Sequence, residues 1–432
     1  MLMPSSHRVM QRLRTLAKIG AEANGGITRL AFTRQDEQAR ALVQTWMEEA
    51  GLQVHTDSVG NLCGRTTTTH GQQAVVMSGS HIDSVRHAGY LDGTLGVLAA
   101  IEVADAMNHS KHKWQRPLEV VAFAMEESSR FQCYAFGSKA MAGIPQADTL
   151  LGNCDDQGIT LAAALCNVHH QKNDNETQQL QQARQHIQAA IRPQNSIHAF
   201  VELHIEQGPV LAAENIGIGL VTAIAAPIRL NITIHGMQNH SGTTPMHLRS
   251  DALTAAAALI LTVESLCANS LDVRGTVATI SNEPNIINAI PGMVQLGIDL
   301  RSGNSTERNS IHQVLGQHIK RMAEQRHVRI KQQVITQDEP VTMSPALLNN
   351  MEALANNSNI RHRRLASGAG HDAASISRIA THCGMIFIAS KDGISHHPKE
   401  SSNETDIAQG IELLHATLTA LRLRDILHHV ND

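Results

Sequence analysis

The chain has 432 residues, too many for one ordinary core, so at least two domains are expected. Its net charge of -4 argues against a broad basic surface for nucleic acid, and its 2% aromatic content leaves little for base stacking. The six cysteines are irregularly spaced without a CxxC pair, and no apolar h-region or 18-residue apolar run is present, which predicts reduced buried thiols in a cytoplasmic protein without a membrane span.

In chain order, residues 6–20 carry apolar positions at helical spacing. Thr33 is a candidate cap for a second helix running to about Ala50 and stopped by Gly51. Strand-like segments follow at Leu52–Thr56 and Asn61–Arg65. The run Val75–Ser80 then ends in His81-Ile82-Asp83, with Asp92-Gly93 beyond a glycine-containing loop. In an extended segment His81 and Asp83 share a side, and a His with carboxylates at the end of a buried strand suits a divalent cation. Gly93–Met107 reads as a helix, and Leu118–Met125 as a central parallel strand. That strand ends in Glu126-Glu127. Two adjacent carboxylates there are either a solvated strand end or a ligand beside a proton acceptor. Asn173–Gln194, rich in Gln and Asn, predicts an exposed helix or loop, and the His109-Ser110-Lys111-His112-Lys113 stretch reads as solvated. Strands at Phe200–Leu203 and Gly217–Ile224 continue the pattern, the first leading to His204, Glu206 and Gln207. Strands alternating with helices predict an α/β domain with a mostly parallel sheet and helices on both faces.

From Ala225 the pattern changes. Ile228, Leu230, Ile232 and Ile234 alternate with polar residues. A helix over about Pro245–Ala268, strands at Val273–Ser281 and Met293–Leu300, a helix over Ser305–Gln325 and a strand at His327–Ile335 follow. This βαββαβ order predicts an inserted α+β ferredoxin-like module over 225–336, within a discontinuous domain of residues 1–224 and 337–432. The larger domain resumes with a helix at 344–356, the loop Ser367–Asp372, a strand at Met385–Ala389 and a final helix at 404–422. Taken alone, His204 reads more readily as structural than as a ligand, His240 as a polar loop residue and Arg301 as a surface ion pair.

The chain carries Gly79-Ser-His-Ile-Asp, Leu91-Asp-Gly, Glu126-Glu127-Ser-Ser-Arg-Phe, Glu202-Leu-His-Ile-Glu-Gln-Gly-Pro, Asn239-His-Ser-Gly, Pro284-Asn, Ser367-Gly-Ala-Gly-His-Asp and Gly393-Ile-Ser-His. Together these motifs resemble those of the M20-type metallopeptidase superfamily, over about Gly25 to Gly410. Within it, they resemble the allantoate amidohydrolase and N-carbamoyl-L-amino-acid hydrolase branch. The resemblance implies two divalent metal ions, Zn or Mn first and Co or Ni also accepted. Asp92 would bridge them, His81 and His204 would serve one, and Glu127 and His396 the other. Glu126 would be the general base, and Asp83 would orient His81. The inserted module would be the lid and dimerisation domain. Its His240 would stabilise the oxyanion, reaching the partner subunit's site in a homodimer. Asn288 and Arg301 would hold the substrate carboxylate, with Gln207 and Gly370 also facing substrate.

The implied reaction is hydrolysis of a small ureido or carbamoyl carboxylate. Allantoate is the first choice, because Leu91-Asp92-Gly93 and Gly26-Ile-Thr-Arg-Leu resemble that branch. N-carbamoyl-L-amino acids are the alternative. Ser128, His397 and the Ala225–Arg229 stretch depart from the family pattern, and the last bears on substrate choice. An aminopeptidase or deacylase is a further reading, which His204 and the His240 motif oppose. A non-catalytic metal-binding scaffold is opposed by the complete set of base and ligand candidates.

Overall fold

The structure is a computed structural model and describes residues 3–67, 73–110, 114–146, 148–168 and 175–423. The Lys111-His112-Lys113 stretch and residues 173 and 174 of the Gln-rich stretch lie outside these. The chain divides into two compact units. The larger holds Met1–Thr222, Met343–Leu365 and His371–Asp432; the smaller holds Ala223–Thr342 and Ala366–Gly370. Ala366–Gly370, which carries Gly370, groups with the smaller unit because Ala225 donates its N–H to Ser367 O and Arg301 donates to Gly368 O.

The larger unit is built on a nine-stranded mixed sheet. Four strands form its parallel core, in the spatial order Leu118–Phe123, Val75–His81, Ile197–Ile205, Ala380–Ile388. The first three are buried along their whole length, which is why they read as near-continuous apolar runs. Leu118–Phe123 has only one parallel neighbour; its other partner, Leu62–Arg65, is antiparallel. Its apolar run also contains Glu119, tolerated because Arg192 meets both carboxylate oxygens, at 2.6 and 2.9 Å. Alternate strand residues such as Val76, Val120, Val201 and Ile386 pack with helices Ser6–Leu16, Arg34–Glu49, Thr94–Asn108, Pro345–Asn357 and Glu404–Leu423. Thr94–Asn108 is buried on all sides through Met107, so it shows almost no polar face. The Gln-rich stretch forms the helix Glu176–Ala190, capped by Asn175 and burying only Ala183 and Ala190.

The smaller unit is a four-stranded antiparallel sheet in the order Arg329–Gln337, Ala226–His235, Met293–Ser302, Arg274–Glu283. Its first strand alternates buried and less buried residues along its length. Ile228, Leu230, Ile232 and Ile234 pack against Ala255, Leu259 and Val263 of one helix and Leu315 and Ile319 of the other. The first helix starts at Ala252, later than its apolar pattern suggests. Residues Met246–Leu248 form a separate 3-10 turn, and the Asp251 carboxylate caps the helix by accepting the N–H of Leu253 at 2.9 Å and of Thr254 at 3.1 Å. Five cysteines are buried and Cys154 is exposed, all six unpaired. Among the described residues, no helix is long and apolar enough to cross a membrane.

Candidate metal centre

The parallel core delivers the first ligand candidates. His81 ends its strand, and His204 lies near the end of the neighbouring one. Between them Asp92 enters from the loop before helix Thr94–Asn108. Gly93 has φ +64°, and a Cβ there would overlap the His81 imidazole, so only glycine lets this loop close on the histidine.

Asp92 is buried, and each of its two oxygens faces a different set of groups. Oδ1 lies 3.1 Å from His204 Nε2 and 3.9 Å from His81 Nε2. Oδ2 lies 3.0 Å from His396 Nε2, which is 3.3 Å from Glu127 Oε1. Two donor clusters therefore share one carboxylate: His81, Asp92 and His204, and Asp92, Glu127 and His396. Backbone carbonyls hold the remote ring nitrogens, with His81 Nδ1 3.0 Å from Asp83 O and His204 Nδ1 2.9 Å from Ile205 O. Both rings thus turn Nε2 toward Asp92. The Asp83 carboxylate is 3.6 Å from His81 Nδ1. It instead accepts the N–H groups of Glu126 at 3.2 Å and Glu127 at 3.1 Å, holding the acidic pair at its strand end.

The electrostatics fit a cation. Burial alone would raise the Asp92 carboxyl, but hydrogen bonds from His204 and His396 outweigh it and hold it well below the usual range. Burial pulls the His204 imidazole down, yet Asp92 overcomes this and holds it up, at about 9. Hydrogen bonds to Asp92 and Glu127 raise His396 to about 10. Protons thus hold the two imidazoles against Asp92 when no cation does. Glu126 is pushed well up, by burial and then by the charges of Asp372, Glu127, Asp83 and Asp92. So many carboxylates, with imidazole nitrogens turned inward, form a donor set for divalent ions.

Gln207 is half-buried and turned toward Asp92. Its Nε2 donates to Asp92 Oδ2 at 2.9 Å and lies 3.2 Å from His396 Nε2. Glu202 escapes sequence reading, whereas the Gly370-His371-Asp372 stretch reads as a ligand pair or a tight turn. Glu202 is fully buried and accepts Ser80 Oγ at 2.7 Å and Ala373 N–H at 3.0 Å. His371 packs edge-on against His204, ring centroids 4.6 Å apart. A charged residue inside the run Phe200-Val-Glu-Leu was the available signal for Glu202.

The remaining candidates, His240, Asn288, Arg301 and Gly370, belong to the smaller unit. Asn239–His240 pairs with Ala289–Ile290, and Ser241 donates to Asn288 O at 3.0 Å, so one small motif presents His240 and Asn288. His240 Nδ1 accepts the N–H of Gly242 at 3.1 Å and of Thr243 at 3.3 Å. This assigns the proton of the neutral ring to Nε2, as an exposed donor. Arg301 turns Nε and one terminal nitrogen onto Asp299, at 2.9 and 3.1 Å, and Arg229 meets the same carboxylate at 3.1 Å. Burial would raise Asp299, but the two arginines overcome it and hold it low.

A model of peptidase family M20/M25/M40 matches residues 51–420. The chain is 37% identical over 420 residues to an N-carbamoyl-L-amino acid amidohydrolase of Geobacillus stearothermophilus, covering 97% of this chain and 99% of that one. It is 34% identical over 407 residues to the allantoate amidohydrolase of Escherichia coli K12, covering 94% and 95%. Its fold is similar to the crystal structure of a hydantoinase/carbamoylase-family amidase from Burkholderia multivorans, with a TM-score of 0.88, 31% identity and coverage of 98% and 99%.

Proposed function

The chain belongs to peptidase family M20/M25/M40 and to its amidohydrolase branch, whose named members cleave C–N bonds other than peptide bonds; from this we propose a two-metal hydrolase of ureido carboxylates, with allantoate as its substrate. The observation that supports it most is Asp92, whose two oxygens serve separate His-containing clusters beside the acidic pair Glu126-Glu127. His81, Asp92 and His204 would hold one divalent ion, and Asp92, Glu127 and His396 the other. Bound divalent ions supply positive charge that acidifies water near neutral pH and polarises a carbonyl.

The chain's own groups account for the rest. Glu126 is held at its strand end by Asp83 and receives the proton of the attacking water. The water oxygen adds to the ureido carbon, a C–N bond breaks, and the departing nitrogen takes the proton from Glu126. Ammonia leaves, and the carbamic acid loses carbon dioxide to free the amine, so one water is consumed per ureido group. His240, with its proton on Nε2, donates to the oxyanion. Arg301, oriented by Asp299, receives the substrate carboxylate together with Asn288 and the backbone around Gly370. The protein acts as a homodimer, with His240 supplied across the subunits. The exposed Met237, Met246, Leu248, Ile286 and Ile287, close in sequence to His240 and Asn288, support a partner surface there.

The test is ammonia release by metal-replete protein on allantoate, ureidoglycolate and a panel of N-carbamoyl-L-amino acids, with a dipeptide and an N-acyl amino acid alongside. Allantoate is expected to be turned over fastest, and Glu126→Gln to lose roughly 10²–10⁴-fold in kcat at unchanged metal content. A carbamoyl amino acid preferred over allantoate would move the substrate to that class and make Ala225–Arg229 the place to look for selectivity. No ammonia from any ureido acid would end the ureido-hydrolase reading, and an unaffected Glu126→Gln enzyme would remove Glu126 as the base.

A further inference from the structure

The Asp92 and His396 segments are far apart in sequence, and their register must be held by something other than the ligands themselves. We propose that Glu400 is the positioning residue that holds them. Its carboxylate is buried, at 2% exposure, and binds both segments. Oε1 accepts the backbone N–H of Leu91 at 2.9 Å and of Asp92 at 3.1 Å. Oε2 accepts the hydroxyl of Ser395, the residue before His396, at 3.0 Å. Gln207 completes a ring, donating to Ser395 Oγ at 3.3 Å and to Asp92 Oδ2 at 2.9 Å.

Three hydrogen bonds satisfy both oxygens of the buried carboxylate and offset part of the cost of burying it. The space is made by Gly89: a Cβ there would sit 2.6 Å from the Glu400 carboxyl carbon. The Glu400 backbone N–H also donates to His397 O at 2.9 Å, closing the short turn that follows His396. Gripping the Asp92 N–H sets the direction of its side chain, whose two oxygens must face two clusters at once. Glu400 touches neither cluster's ligating atoms; it acts through Asp92 and Ser395.

This rests on Asp92 and His396 being metal ligands, so the test reads metal binding rather than turnover. Metal-free wild type, Glu400→Ala, Glu400→Gln and Ser395→Ala are titrated with Co2+, followed by visible absorbance, with circular dichroism to establish folding. Glu400→Ala is expected to weaken Co2+ binding roughly 10–100-fold and to alter the absorption bands. Glu400→Gln keeps an oxygen for the two N–H groups and an NH2 for the Ser395 hydroxyl, so it stays close to wild type. Ser395→Ala falls between. Wild-type binding and spectra in Glu400→Ala would overturn the proposal, as would a Glu400→Gln as weak as the alanine, which would make charge the operative property. Should Glu400→Ala fail to fold, a Ser395→Ala protein with unchanged affinity and spectrum would overturn it. Wild type that takes up no Co2+ at all would instead remove the metal-centre reading.

Discussion

Asp92 decides the chemistry of the centre at the scale of single residues, because its charge is shared between two imidazoles. In the metal-free protein these imidazoles lie far above the ordinary value of about 6.5, His204 at about 9 and His396 at about 10. A group raised on folding stabilises the fold fully below its unfolded value and loses that contribution as pH rises through the folded one. The metal-free protein should therefore lose thermal stability progressively from about pH 6.5 to about pH 10, with metal uptake at neutral pH releasing protons. Metal-loaded protein, whose imidazoles are already deprotonated, should show no fall from this source. Differential scanning fluorimetry of the two forms across that range checks it; parallel curves would count against this account. The residue types His81, Asp92, Glu127, His204 and His396 were legible as motifs. Their division into two groups about Asp92 came with the family resemblance and not from local spacing, because which oxygen each group faces depends on side-chain direction in segments far apart in the chain.

The Val75–His81 strand carries the site at the scale of elements, and Gly79 is its tightest point. Its φ is +153°, and a Cβ there would overlap the Val121 carbonyl of the neighbouring strand. Gly79→Ala must part these strands just before His81. It is expected to cost at least about 2 kcal/mol, read from the urea midpoint, and to weaken metal binding in whatever fraction stays folded. An alanine variant as stable as wild type would show that the backbone relaxes there at little cost. The helix, strand and insertion order was readable because burial imposes period. Two points were not. The helix at Ala252 starts where Asp251 can cap it, a local hydrogen bond that overrides a longer apolar pattern. The strand Leu118–Phe123 hides Glu119, whose partner Arg192 lies outside any local window.

The proposal that His240 serves the partner subunit's site gives a prediction at the scale of the whole molecule. Glu126→Gln and His240→Ala should each be nearly inactive as pure proteins. Co-expressed, they form hybrid dimers in which one site combines an intact Glu126 with the other subunit's intact His240. Random pairing gives about a quarter of wild-type activity in the mixture. Activity no higher than that of the pure variants would place His240 with its own chain's site or remove it from the reaction. Light scattering on the same sample reports the dimer independently.

Periodicity carried the α/β class and the inserted ferredoxin-like order, because burial selects residue types that can be counted along a chain, and the family resemblance of the motifs carried the ligand set of a metal centre. Tertiary structure decided what depends on distance between remote segments. It set which oxygen of Asp92 each histidine meets, turned Gln207 onto Asp92 and turned Asp83 onto the backbone of Glu126 and Glu127. It also placed Glu400 between the Asp92 and His396 segments, a role with no local signature because its hydrogen-bond partners include backbone N–H groups about 300 residues away.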